Sequence, residues 1–408
     1  MTLKIERLGL HGDGIAAGPV YVPRTLPGER ITGEISGDRI LAPKIVMPSD
    51  VRVKAPCAHY NRCGGCALQH ARDDYVAEWK QGVVFSALAA HGIETEFRDI
   101  ITSPTRSRRR ATLSGRRLKK GATVGFHTRA SDNLVEIPNC QLLDEDLLDV
   151  LPALEALTHL IGSRKTEVAF AVTLGVDGLD VDISVEREFD AIMVSKLAEL
   201  ARTYNLARVS QRGEPVLTRR APRISFDEIY VVPPPGAFLQ ATPEGESALR
   251  TAVNEAVGRA GSIVDLFSGC GTFALPLARK SRVHAVEGEA DMVQALHDGW
   301  RQASGLKHVS IEARDLFRRP LMSDELRTFD AAVIDPPRAG AEAQVAELAV
   351  SGIDRIAFVS CNPVTFARDA KTLIEAGYRL NWVQVVDQFR WSAHIELAAS
   401  FSAAHIAA

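Results

Sequence analysis

The sequence predicts an α/β protein. A doubly wound, Rossmann-like sheet closes the chain, a β-rich region occupies its centre, and a small β-barrel opens it. Three observations carry this reading. After residue 243, apolar strand-like runs (SIVDLFSG, RVHAVEG, HVSIEARD, FDAAVIDPPR, RIAFVSCNP) alternate with helical patterns, as a parallel sheet with crossover helices requires. Between about 98 and 240 the pattern is irregular and β-rich, with EVAFAVTL and LDVDISV reading as a hairpin turned at Asp177-Gly178. In residues 1–50, short strands in KIERLGL, GPVYVP, GERITGEIS and DRILAPKIVMP are punctuated by Gly and Pro at the spacing of a small barrel.

The 408 residues, 46% hydrophobic and 24% charged, leave room for two or three cores. PPPGAFLQATP marks a boundary, and the expected domains are 1–52, 53–242 and 243–408. Residues 74–91 read as a helix, with Tyr75, Trp79, Val83 and Leu88 at helical spacing and Gly92 as the C-cap. LNWVQVVDQF and HIELAASFSA read as two last strands. No apolar run is as long as a membrane span, and Lys4, Glu6 and Arg7 are unlike a secretory signal. The expected compartment is the cytoplasm, where clustered cysteines bind metal or do chemistry more often than they pair.

The net charge of −3 hides an asymmetry. From Arg98 to Arg129 there are ten Lys or Arg and one acid; from Ala130 to Leu200 there are fifteen acids and four bases. The basic stripe suits a polyanion, with Arg106, Arg108, Arg109, Arg110, Arg116 and Arg117 as candidate RNA contacts. A solvated strand face is the plainer alternative.

Asp265-Leu266-Phe267-Ser268-Gly269-Cys270-Gly271-Thr272 follows an apolar strand and opens a helix, so backbone can approach a ligand there. The next three strands end near Glu287, Asp315 and Asp335. Four acidic strand ends suit a cofactor with a ribose and a cationic centre but no pyrophosphate, and S-adenosylmethionine fits better than NAD. Cys270 reads as a small apolar filler.

Cys361, in Ser360-Cys361-Asn362-Pro363, ends the fifth strand on the same sheet edge. Carbon 5 of uracil is a poor nucleophile. Thiolate attack at carbon 6 makes an enolate whose carbon 5 can take a methyl group. A base must then remove the carbon-5 proton, and Asp387, His394 and Glu396 lie downstream. Cys57, Cys63, Cys66 and Cys140 form a C-x5-C-x2-C set with a distant fourth member, suited to a [4Fe–4S] cluster or to zinc.

Together these residues resemble the RNA uracil-5-methyltransferase family, specifically its bacterial 23S ribosomal RNA branch, over nearly the whole chain. FLQ at 238–240, DLFSGCGTF, the Glu287 and Asp315 strand ends, DPPRAG and SCNP match the family's motifs in order. The resemblance implies a class I methyltransferase sheet and an N-terminal TRAM barrel that binds RNA. It implies that Gln240, Phe267, Thr272, Glu287, Asp315 and Asp335 touch S-adenosylmethionine. By the same resemblance Cys361 is the nucleophile, Glu396 is the base, and the four cysteines hold a [4Fe–4S] cluster. Phe389-Arg390-Trp391-Ser392 departs from the family's usual Phe-Pro-x-Thr. A tRNA uracil-5-methyltransferase and a non-catalytic RNA-binding factor are the alternatives. Members acting on tRNA generally lack the four cysteines.

Overall fold

The computed structural model describes residues 2–404; Met1 and residues 405–408, which fall in the expected first and last domains, lie outside the described residues. At the N-terminus, β1 (Thr2–Leu8), β2 (Gly14–Ala16), β3 (Val20–Val22), β4 (Arg30–Thr32) and β5 (Lys44–Met47) pair antiparallel in the order β3-β2-β1-β4-β5. Alternate residues of β1 and its neighbours bury a small core around Ile5, Val22, Ile31 and Ile40. This five-stranded sheet stands where the sequence predicts a barrel.

The helix Asp73–Ala89 forms within one residue of its predicted start. After it, β6 (Glu96–Phe97) and β7 (Ile101–Thr102) leave the central region and join the C-terminal sheet. The boundary expected at 243 is therefore crossed by two short strands. The central sheet contains β8 (Arg110–Arg117), β9 (Ala122–His127), β10 (Leu134–Glu136), β11 (Val168–Gly175), β12 (Gly178–Ser184), β13 (Arg208–Gln211) and β14 (Glu214–Thr218), ordered β10-β9-β8-β11-β12-β13-β14. Gly175 pairs with Gly178, so Val176-Asp177 makes the β11–β12 turn, one residue earlier than predicted. Gly178, at φ 123°, ends the turn, and the Asp177 carboxylate is held by Arg223 at 2.7 and 2.9 Å.

A hairpin of β15 (Ile224–Phe226) and β16 (Ile229–Val231) leads into the C-terminal sheet. That sheet contains β17 (Ser262–Leu266), β18 (Arg282–Glu287), β19 (Val309–Ala313), β20 (Ala331–Ile334), β21 (Arg355–Ser360), β22 (Tyr378–Asp387) and β23 (Leu397–Ala403). Its order is β19-β18-β17-β20-β21-β23-β22-β6, with β7 beside β22. Strands β17 to β21 are parallel, and β23 runs antiparallel between β21 and β22. Successive residues feed opposite cores, Ala331 and Val333 into one and Ala332 and Ile334 into the other, as a sheet covered on both faces demands. The strand order reverses between β17 and β20, which opens a crevice beyond their C-terminal ends.

Part of the basic stripe is internal. Arg109 is buried, ion-paired with Glu246, and its Nε donates to the Gln240 carbonyl at 3.2 Å. Its candidacy as an RNA contact is corrected: the guanidinium ties the central sheet to the helix Pro243–Val257. Arg106 and Arg116 pair with Glu145 and Glu167 from the acidic half that follows.

Candidate active site

The crevice at the strand reversal opens into a cavity of about 970 Å³, the size of a cofactor site. Each of the six residues expected to hold a cofactor lines it: Gln240, Phe267, Thr272, Glu287, Asp315 and Asp335. Phe267 leaves β17 at φ 62° and Gly269 follows at φ 53°, so the loop turns sharply enough to aim backbone into the cavity. Glu287 fastens that loop, accepting from the amide of Gly269 at 2.9 Å and from those of Gly288 and Glu289 at 2.6 and 2.9 Å. Asp315 accepts from the Phe317 amide at 3.0 Å, and the Phe317 ring tilts against Phe267 with centroids 5.4 Å apart. Cys270 is buried below the loop, as a filler would be.

Cys361 and Glu396 line the same wall as Asp335. Thirty-five positions separate them in sequence. They meet because Cys361 caps β21 while Glu396 immediately precedes its antiparallel partner β23. Burial pushes the Cys361 thiol up to about 12, the charges of Glu396 and Asp335 push the same way, and Arg338 opposes them. Asp335 is open to the cavity yet far from bulk water, and burial raises its carboxyl. Glu396 lies deeper and is raised well above the ordinary carboxyl range by burial, then by Asp335, against a hydrogen bond from Gln388. A carboxylate so placed holds a proton strongly once it has taken one.

A second cavity of about 580 Å³ meets the first at Cys361 and Arg338, the two residues lining both. The central region and residues 392–395 supply much of its wall, including Arg108, Phe126, Arg129 and His394. Leu10 and His11, at the β1–β2 turn, reach it from the N-terminal sheet, and Asp13 beside them pairs with Arg129 at 2.7 Å. His394 packs edge-on against Phe389. Asp387, the other candidate base, is bound to Lys80 at 2.5 Å and so is not free to take a substrate proton.

Cys57, Cys63, Cys66 and Cys140 converge on one small pocket, brought together by a turn of the 57–70 loop and the segment after β10. Cys63 accepts from the Gly65 amide at 3.4 Å and Cys140 from the Leu142 amide at 3.5 Å. Burial raises Cys63, Cys66 and Cys140 above the ordinary thiol range, Cys66 to about 12. Among the described residues, no group of three or more His, Cys, Asp or Glu is set close enough to hold a metal ion. No helix of the described residues is long and apolar enough to cross a membrane.

Gln388 was invisible to sequence reasoning. Its amide joins Glu396, Gln240 and the Ala241 backbone, partners up to 148 positions away. No local pattern marks such a residue.

A sheet of this order with a nucleotide-sized crevice at its reversal is a class I methyltransferase fold. The solved tRNA (uracil-54, C5)-methyltransferase of Pyrococcus abyssi shares it, at a TM-score of 0.78 over 98% of this chain and 99% of that one, with 24% identity. The family described as tRNA (Uracil-5-)-methyltransferase matches residues 234–403. An uncharacterized RNA methyltransferase of Rhizobium meliloti is 42% identical over 98% of both chains. The 23S rRNA (uracil(1939)-C(5))-methyltransferase of Vibrio vulnificus is 30% identical over 97% of this chain and 95% of its own length. This chain belongs to the RNA uracil-5-methyltransferase family and is an RNA methyltransferase.

Proposed function

We propose that the enzyme methylates carbon 5 of one uridine in 23S ribosomal RNA through a Cys361 adduct. The observation that carries this is the meeting of two cavities at Cys361, with Glu396 and Asp335 in the wall. One cavity suits S-adenosylmethionine, held by Gln240, Phe267, Thr272, Glu287, Asp315 and Asp335; the other suits a flipped-out nucleotide. When bound, S-adenosylmethionine supplies an electrophilic methyl group. The Cys361 thiolate adds to carbon 6, and the electron pair pushed to carbon 5 takes the methyl. Glu396 then removes the carbon-5 proton, the carbon 6–sulfur bond breaks, and the thiolate returns. Arg338 favours the thiolate at both ends of the cycle.

In this reading residues 1–52 act as an RNA-binding TRAM barrel, residues 53–242 carry the cluster and grip RNA, and residues 243–408 do the chemistry. On the same reading Cys57, Cys63, Cys66 and Cys140, which line one pocket and of which Cys63 and Cys140 accept backbone donors, would hold a [4Fe–4S] cluster once drawn closer together than they stand here. The enzyme, so read, works in the cytoplasm, where thiols stay reduced. The four cysteines and the Vibrio relative favour 23S RNA over tRNA. The test is methyl transfer to unmodified 23S and tRNA transcripts by wild type, Cys361→Ala and Glu396→Gln. Wild type should modify the 23S transcript, Cys361→Ala should form no adduct, and Glu396→Gln should stall as a protein–RNA adduct on a denaturing gel. Transfer to tRNA alone would overturn the substrate assignment, and normal turnover by Glu396→Gln would overturn the base.

A further inference from the structure

We propose that the edge of the catalytic sheet opposite the crevice is a second RNA-binding surface. There Lys280, Arg282 and Lys307, flanked by Arg259 and Arg301, take the sugar–phosphate backbone of a segment remote from the target uridine. The proposal rests on the long ribosomal substrate proposed above and adds a grip that neither cavity supplies. Strands β17, β18 and β19 run parallel, so the chain enters each of them at one edge. Arg259 stands before β17, Lys280 and Arg282 at the entry to β18, and Lys307 before β19. Arg301 lies in the last turn of the helix Ala290–Gln302, which returns the chain to that edge. Backbone bonds hold these entries side by side: the Arg282 amide donates to the Gly261 carbonyl at 2.9 Å, and the Lys307 amide to the Ala278 carbonyl at 2.7 Å.

All five side chains are exposed, and none makes an ion pair or a hydrogen bond among the described residues. Acids are not lacking in this half of the chain: Arg279, next to Lys280, holds Asp227 at 3.5 Å, and Arg314 holds Glu325 at 2.9 Å. Of the carboxylates around the patch, Asp330 accepts from the Gly261 and Ser262 amides at 2.8 and 2.9 Å, and Asp298 from Gln294 at 2.9 Å. Asp354 stands two strands from β17, before β21. A helix dipole favours cations at its C-terminal end, which accounts for Arg301, and for Arg259 after the helix Pro243–Val257. Lys280, Arg282 and Lys307 sit on a turn, a strand and a loop, and have no such partner. On a chain of net charge −3 the five make a local positive field. Among them Trp300 donates its Nε1–H to the Lys307 carbonyl at 3.2 Å and meets the exposed His308 ring edge-on, with centroids 5.6 Å apart. Cations interleaved with aromatic rings suit a nucleic-acid backbone with an unpaired base beside it. The six residues of β18 put the patch roughly 15–20 Å from the crevice, at about 3.3 Å per residue. The RNA it meets is therefore not the nucleotide turned into the site.

The test compares two RNAs, a 23S transcript and a short hairpin that carries only the target stem. Lys280→Gln, Arg282→Gln and Lys307→Gln together remove three phosphate contacts. The slope of log K against log salt for the 23S transcript should flatten by about two to three, at about 0.7–0.9 per phosphate. Binding of the hairpin, its salt slope and methyl transfer to it should be unchanged. Lys280→Gln with Lys307→Gln leaves β18 intact and should flatten the slope by about one and a half, so it decides the matter if the triple variant does not fold. An unchanged slope on the 23S transcript would overturn the proposal, and is the result expected of a surface that serves an acidic protein. Equal flattening on the hairpin would overturn it too, by placing the contact at the target stem. Methyl transfer by wild type to neither RNA would instead fall on the proposed function.

Discussion

Replacing Lys80 by Met should cost the fold about 3–5 kcal/mol, the usual price of leaving one half of a buried ion pair without its partner. Lys80 is fully buried and Asp387 nearly so, at 0% and 2% side-chain exposure. The ammonium donates to Asp387 Oδ1 at 2.5 Å and to the Phe389 carbonyl at 3.1 Å, and Asp387 Oδ1 also accepts from the Phe389 amide at 3.1 Å. Burial pulls the ammonium's pKa down, and Asp387 opposes that shift. In Lys80→Met the Asp387 carboxylate keeps one backbone donor and no counter-charge. Removing both charges, in Lys80→Met with Asp387→Leu, should recover most of the loss, because an apolar pair of similar volume is often neutral or better. Urea unfolding of the four proteins gives the coupling energy directly. A single-mutant cost below about 1 kcal/mol would mean the pair is a weak surface-type contact, and the reasoning from burial would be refuted.

Iodoacetamide labelling of Cys361 should be slow at pH 7 and rise about tenfold per pH unit towards 10, because a thiol raised to about 12 is mostly protonated below that and only the thiolate reacts. Arg338→Gln should slow labelling further, since the arginine is the charge that lowers this thiol; a flat pH profile would contradict the burial argument. Arg109→Met should lower the unfolding midpoint by leaving the buried Glu246 with Arg250 as its remaining partner, while leaving the salt dependence of RNA binding unchanged. A flatter salt slope would return Arg109 to the RNA surface. Anaerobically purified protein should be brown with about four irons per chain, and Cys63→Ser should lose both colour and iron; a zinc content instead would overturn the cluster.

The C-terminal sheet was legible because its strands are buried on both faces and end in chemistry. AAVI at 331–334 is wholly apolar and stops at Asp335, and RIAFVS stops at Cys361. Strand-end position and residue type sufficed to put both residues on one edge. Glu396 was one of three downstream candidates and was singled out only through resemblance, because it sits in irregular chain just before β23 rather than in a strand. The N-terminal region was legible as strands, but not in how its turn carries Leu10 and His11 to the second cavity. The basic stripe misled at Arg109 because a run of charges says nothing about which side chain finds Glu246, 137 positions on. Gln388 and Lys80 escaped for the same reason: their partners are tertiary, and a lone glutamine or lysine leaves no periodic trace.

Those tertiary partners also bind the cysteine-rich segment to the base. The carbonyl of Trp391 accepts from the amides of Ala67 and Leu68 at 2.8 and 2.9 Å, immediately after Cys66. Trp391 Nε1 donates to Asp73 at 2.9 Å, Arg390 pairs with the same carboxylate, and Lys80 takes Asp387 about two turns further along the helix. Residues 67–80 thus grip residues 387–391, the stretch that leads to Glu396 and holds Trp391 at a left-handed φ of 59°. A non-glycine residue persists in that conformation only where its surroundings over-determine it, and here the surroundings are Ala67, Leu68 and Asp73. The cysteine-rich loop and the stretch that leads to Glu396 are thus fastened to each other by hydrogen bonds. On the roles proposed above, Cys63→Ser should disorder residues 387–396 and slow the removal of the carbon-5 proton before it weakens attack by Cys361, which caps β21; equal loss of adduct formation and of proton removal would refute the coupling.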